Sequence, residues 1–303
     1  MTKKLAVLLL SIALSATPAT AQQPAAPAPA AATIDADPAL WVVKDRDTTI
    51  YLFGTVHVLK PGLSWFDEAV KAAFDRSDAL VLEMVMPDPA AMQAIATKMG
   101  AATDGTPLSQ KIPEPARAAY AEAVAEIGAS TAILDQQKPW LAAMELQADA
   151  IGKLGYNPAN GPETVLTAAA KAANKPVLGI ETLEQQLGYL DSLPQKAQID
   201  FLDFAIDDMP KLGDQMAEMV ADWSSGKPEA LAKIMNDNLA DQPELKKALL
   251  IDRNARFASW INERMKTPGT VFVAVGAGHL AGPGSVQDDL AATYHLKAIR
   301  LAY

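Results

Sequence analysis

Apolar and polar positions follow two different periods along this chain, and the switches between them mark out its elements. Trp41-Val42-Val43 and residues 48–53 flank the polar Lys44-Asp45-Arg46-Asp47 and read as a β-hairpin. Phe66, Val70 and Phe74 then repeat at helical spacing, which predicts a helix over residues 65–77 with Ser64 as its N-cap. Ala79-Leu80-Val81-Leu82-Glu83-Met84 is a buried-type strand that carries a carboxylate. Hairpin, helix and strand in that order begin a βαβ arrangement.

From Pro89 to Ala173 the pattern is helical and alanine-rich, broken at Gly105-Thr106-Pro107 and at Gly155-Tyr156-Asn157-Pro158. Pro176-Val177-Leu178-Gly179-Ile180 is a further short buried strand, followed by Glu181 and the start of a helix at Leu183. Residues 193–265 are helical again, with stops near Pro210, Gly226-Lys227-Pro228 and Pro243. Val271-Phe272-Val273-Ala274-Val275 and residues 296–301 close the chain as strands. No internal repeat of solenoid length is present. The pattern predicts an α/β fold: a small central mixed β-sheet flanked by many helices, with the helical stretch 89–173 as a cap-like insertion over the crevice.

The first residues do not fit that fold. Lys3-Lys4, an apolar stretch over 5–14 and Ala19-Thr20-Ala21 have the three parts of a cleavable signal peptide, assigned to residues 1–21. The apolar stretch is too short to span a bilayer comfortably. Residues 22–37 are rich in alanine and proline and are expected to be a disordered tether, leaving residues 38–303 as the folded domain. The expected location is the periplasm or the medium, with no stable membrane anchor after cleavage. The chain has no cysteine, which excludes disulfides, lipid attachment through cysteine, thiolate metal sites and cysteine nucleophiles. Loss of Lys3 and Lys4 takes the formal net charge from −10 to −12, which argues against nucleic acid or an anionic membrane as partner.

Composition makes one repetition conspicuous. The chain has three histidines, and two stand in the same context: Gly54-Thr55-Val56-His57 and Gly276-Ala277-Gly278-His279 each follow an apolar run. Each motif reads as a strand that stops at a glycine tolerant of positive φ and then presents an imidazole. Loops at the carboxyl ends of strands form the ligand crevice of open α/β sheets. With strands roughly 4.8 Å apart, histidines leaving neighbouring or next-but-one strands can converge on one ion. Glu83 interrupts an apolar strand and needs a cation, a metal or a proton unless it forms a strand-end salt bridge. Glu181 serves equally well in the first turn of a helix. Arg253, in an apolar helix, can polarise a carbonyl or bind a carboxylate. His295 and Trp140 read as structural, and Ser285 lacks the elbow of a serine nucleophile.

Phe53-Gly54-Thr55-Val56-His57, Leu80-Val81-Leu82-Glu83, Lys138-Pro139-Trp140-Leu141, Gly179-Ile180-Glu181-Thr182, Asp252-Arg253-Asn254 and Gly276-Ala277-Gly278-His279 occur in that order. In this ordered set the chain resembles the TraB/PrgY/GumN family, which includes the Tiki metalloproteases. The resemblance implies a fold related to erythromycin esterase and the ChaN proteins. It also implies a divalent-metal site at His57, Glu83 and His279, with Arg253 nearby. The segment 155–164, rich in Gly, Asn and Pro, departs from the proteases and bears on the rim of the site. The expected function is an exported metal-dependent hydrolase, peptidase-like, acting on a peptide or small-molecule substrate. Glu83 would be ligand or general base and Arg253 the oxyanion partner, with manganese, cobalt or zinc equally compatible with the donors. The alternative is a non-enzymatic protein that holds haem or another ligand in the same crevice. Oligomeric state has no signature in the sequence.

Overall fold

The computed structural model describes residues 33–239 and 241–302, so the expected signal peptide and most of the tether lie outside the described residues. Strands β1 (Ile34–Asp35) and β4 (Leu63–Ser64) form a small parallel pair. Ordered structure therefore starts a few residues before the expected boundary at Asp37, and Ala36 is already buried. The main sheet contains β2 (Leu40–Lys44), β3 (Thr48–Thr55), β5 (Ala79–Met84), β6 (Val177–Glu181), β7 (Gly269–Gly276) and β8 (Ile299–Arg300). Their spatial order is β6-β5-β7-β3-β2-β8. The four strands from β6 to β3 are parallel, and β2 pairs antiparallel with both β3 and β8.

Period-two alternation along the central strands sends side chains into two different cores. Ile50, Leu52, Val81, Val271, Val273 and Val275 pack on one face against helices Asp252–Arg264 and Val286–Tyr294. Phe53, Leu80, Leu82, Phe272 and Ala274 pack on the other against helices Glu68–Arg76, Pro162–Ala172 and Leu212–Ser224. β7 is therefore covered on both faces, which explains its unbroken apolar run. A third core is mainly helical, with Met84 at the end of β5 as its contact to the sheet. It combines residues from the 89–173 stretch, such as Trp140 and Leu146, with Leu187, Phe201 and Leu249 from later helices. The helical insertion thus shares its core with the segments that follow it.

Local corrections have physical causes. The first helix runs over Glu68–Arg76 rather than 65–77, because Leu63–Ser64 is committed to pairing with β1. Asp67 takes the N-cap position, without a side-chain capping bond, and Ser64 donates to its carboxylate instead. The expected stop near Pro210 is present: the α-helix from Gln195 ends at Asp208, and a 3-10 turn over Met209–Lys211 leads into the next helix at Leu212. The final strand shrinks to Ile299–Arg300, pairing only with Trp41 and Val42. Among the described residues no helix is long and apolar enough to cross a membrane.

Candidate functional site

The two Gly-x-x-His motifs leave neighbouring strands. β3 and β7 run parallel in register, with Gly54 opposite Val275 and Thr55 opposite Gly276, so both motifs reach the same carboxyl edge of the sheet. Their glycines serve close approach rather than the expected positive φ, since neither is among the residues in that region. A Cβ on Gly54 would stand 3.1 Å from both Cα and Cβ of Ala277. A Cβ on Gly276 would stand 3.2 Å from Glu83 Oε1, 3.5 Å from His57 Nε2 and 3.5 Å from His279 Cδ2. Glycine therefore leaves open the point on which both histidines and the strand-end glutamate converge. Trp223 fixes the first motif from below, its indole N–H donating to the Gly54 carbonyl at 2.7 Å.

Each imidazole is oriented through Nδ1. His57 Nδ1 lies 2.5 Å from Glu163 Oε1, which also accepts from the Thr55 hydroxyl at 2.5 Å. His279 Nδ1 lies 2.6 Å from Asn254 Oδ1, and an amide oxygen can only accept, so this nitrogen carries the proton. Its Nε2 then presents a lone pair, which meets Arg253 Nη1 at 3.2 Å and lies 3.6 Å from Glu83 Oε1. Orientation of an imidazole by an acceptor on its far nitrogen is the usual support for a histidine that binds a metal.

Glu83 is ionised and closely held. Arg253 Nη2 donates to its Oε2 at 2.5 Å, Gln186 Nε2 to the same oxygen at 3.1 Å, and the Gly276 backbone N–H to Oε1 at 2.7 Å. Burial alone would raise its pKa, but Arg253 and the two histidines outweigh burial and hold it well below the usual carboxylate range. Glu181 is the second partner of Arg253, bonded from Nη2 at 2.8 Å and from Nε at 3.1 Å, and it accepts from the Tyr189 hydroxyl at 2.9 Å. Of the two roles open to Glu181, the buried one prevails; the helix beginning at Leu183 is capped by Thr182 and Gln185. Arg253 is 3% exposed and enclosed by two carboxylates and the ring of Phe257.

The histidines differ electrically. Burial lowers the pKa of His57, but the adjacent Glu163 more than offsets this and the net shift is upward. For His279 burial and Arg253 act together and push the pKa down to about 3, so it is neutral at physiological pH. As they stand, no three His, Asp or Glu side chains among the described residues are gathered closely enough to hold an ion. Arg253 engages both Glu83 Oε2 and His279 Nε2. The donor types and the inward Nε2 atoms nevertheless suit a divalent cation, provided Arg253 Nη1 gives up His279.

A model of the TraB/PrgY/gumN family matches residues 39–294, which takes in all of these side chains. The chain belongs to this family. It is 26% identical over 257 residues to the proteins named "Uncharacterized protein YbaP" of Escherichia coli K12 and of Shigella flexneri, covering 84% of this chain and 92% of each relative. No solved structure matches it.

The structure gathers all four sequence candidates of the family site, His57, Glu83, Arg253 and His279, around one point. It adds Glu163, Asn254 and Gln186, to which the sequence assigned no role. Glu163 lies in the first turn of helix Pro162–Ala172, where an acid is ordinary, so nothing in the sequence distinguishes it. Asn254 had a signal: a polar pair, Arg253-Asn254, that helical periodicity could not place on a solvated face. The remaining candidates are structural. Trp140 is fully buried and donates to Asp191, Ser285 caps helix Val286–Tyr294, and His295 ends that helix in the left-handed region.

Proposed function

We propose that this TraB/PrgY/gumN protein is an exported, metal-dependent hydrolase of peptides, with His57, Glu83 and His279 holding a divalent cation. The observation that carries this reading is the paired orientation of the histidines: Glu163 and Asn254 engage both Nδ1 atoms, and the rings converge beside Glu83 over Gly276. A bound divalent ion in such a site supplies an acidified water and a Lewis acid for the scissile carbonyl. The rest of the work falls to the chain. Glu83 keeps its charge at neutral pH and would serve as the anionic ligand through Oε1, whose one hydrogen bond comes from the Gly276 N–H. Arg253, anchored by Glu181, neutralises the site, and its Nη1 is the donor left for a developing oxyanion once His279 Nε2 is committed elsewhere. Glu163 keeps His57 in a fixed ring orientation. The helical layer and the buried Phe257, packed edge-on to His279, keep water from the back of the site.

The test is metal-stimulated hydrolysis of a peptide library by residues 22–303 with manganese, cobalt or zinc, comparing wild type with Glu83→Gln. The substitution keeps volume, and Arg253 remains paired with Glu181, so the fold survives. Activity is expected to fall by about 10²-fold or more, at least the scale of losing a residue that supports a metal ligand. Protein that takes up no metal under any reconstitution, or that keeps its metal in a His57→Ala/His279→Ala double variant, overturns the reading.

A further inference from the structure

A groove of about 400 Å³ opens from the site, within the range that accommodates a drug-sized ligand. One wall is the end of β5 and the residues after it: Leu82, Glu83, Met84, Val85 and Met86. The other is one side of helix Pro162–Ala172, which contributes Glu163, Thr164, Thr167, Ala168 and Lys171. Val85 and Met86 are 46% and 44% exposed and form an apolar lip. The two ends of the groove carry different charged groups. Glu83 and Glu163, paired with Arg253 and His57, stand at the site end. Lys171, in the last turn of the helix, stands at the far end, and its ammonium makes no ion pair or hydrogen bond among the described residues. The Thr164 hydroxyl is committed to the Pro158 carbonyl, which leaves that of Thr167 for an occupant.

We propose that this groove seats the carboxyl-terminal residues of an extended peptide, with the terminal carboxylate on Lys171 and the scissile bond beside Glu83. The inference rests on the hydrolase reading for its chemistry and names the substrate class. Polarity follows from charge: a terminal carboxylate is drawn to Lys171, the lone cation among the lining residues, at the end away from Glu83. Length follows from the helix. The eight steps from Glu163 to Lys171 rise roughly 12 Å at about 1.5 Å each. An extended chain covers that distance in three to four residues at about 3.3 Å apiece. The groove therefore measures cleavage from the carboxyl end, releasing a tri- or tetrapeptide. Its apolar walls favour apolar side chains in that fragment.

Calorimetric titration of the folded protein with an N-acetylated apolar pentapeptide, as free acid and as C-terminal amide, tests the assignment. The acid is expected to bind about tenfold more tightly than the amide, the scale of one charge-assisted hydrogen bond. That preference disappears in Lys171→Ala, and Thr167→Trp, which fills the groove, excludes both peptides. Lys171 is exposed, so its variant folds and carries the test even if the tryptophan variant does not. Equal binding of acid and amide, a preference that survives Lys171→Ala, or no binding of either peptide overturns the proposal. Mass spectrometry of the same samples with manganese, cobalt or zinc scores the chemistry separately. Selective binding without cleavage sinks the hydrolase reading and leaves the groove, whereas cleavage without carboxylate preference does the reverse.

Discussion

Glu163 grips His57 by the ring nitrogen that faces away from the convergence point, and it gives that imidazole its raised pKa. Removing the charge while keeping an acceptor, as in Glu163→Gln, should leave the ring oriented but make Nε2 a poorer donor. Affinity for manganese or zinc is expected to fall by about 10- to 100-fold, the usual consequence of losing a carboxylate behind a metal-bound histidine. Competition against a chelator measures it; an unchanged affinity would mean that His57 binds no metal. At this scale the sequence is readable where a residue type is rare or misplaced. Two of three histidines share a motif, Glu83 interrupts an apolar strand, and Arg253 sits in an apolar helix. Glu163 is neither rare nor misplaced, and only folding brings it within reach of a histidine 106 positions away.

Among elements, the turn that precedes helix Pro162–Ala172 is packed directly on the first histidine loop. A Cβ on Gly161 would stand 2.2 Å from the His57 carbonyl oxygen, a backbone atom that cannot swing aside. Gly161→Ala is therefore expected to cost about 1–3 kcal/mol, the range for overpacking a tight contact. Urea denaturation reads the loss, and wild-type stability would show that the loop yields freely. The segment 155–164 is thus a backbone support for His57: Leu59 and Asn157 are bridged, and Asn160 donates to the Leu59 carbonyl. The inner strands were the most legible elements because burial on both faces demands continuous apolar residues; β6 has the same apolar composition but is not buried, since it lies at the sheet edge with Leu178 48% exposed. Helix boundaries were less legible, since Ser64 resembles a cap but its backbone is claimed by pairing with Ile34–Asp35. Partnerships between distant segments leave no mark on local periodicity.

For the whole molecule, stability and acidity are linked through Asp208 in the helical layer. Burial lifts its carboxyl from the ordinary 3.8 to about 6, and its Oδ2 has no hydrogen-bond partner. Because the folded pKa exceeds the unfolded one, the carboxyl costs nothing below pH 3.8, an increasing amount up to about pH 6, and its full penalty above. Asp208→Asn should thus stabilise the protein at pH 7 by on the order of 1 kcal/mol, a gain that vanishes near pH 4. Chemical denaturation at the two pH values checks this, and a gain independent of pH would assign the effect to packing. The α/β class and the shared edge for both histidine motifs were legible in the sequence, since they follow from strand ends. That the later helices complete the core of the 89–173 stretch was not, because a helical apolar face does not name its partner. The strand order adds a matter of timing. β7, near the end of the chain, lies between β5 and β3, both made far earlier. A nascent chain that stops short of Gly269 holds His57 and Glu83 with an empty lane between their strands. The convergence of His57, Glu83 and His279 therefore arrives late in synthesis, and the chain passes through most of its manufacture without the site that β7 completes.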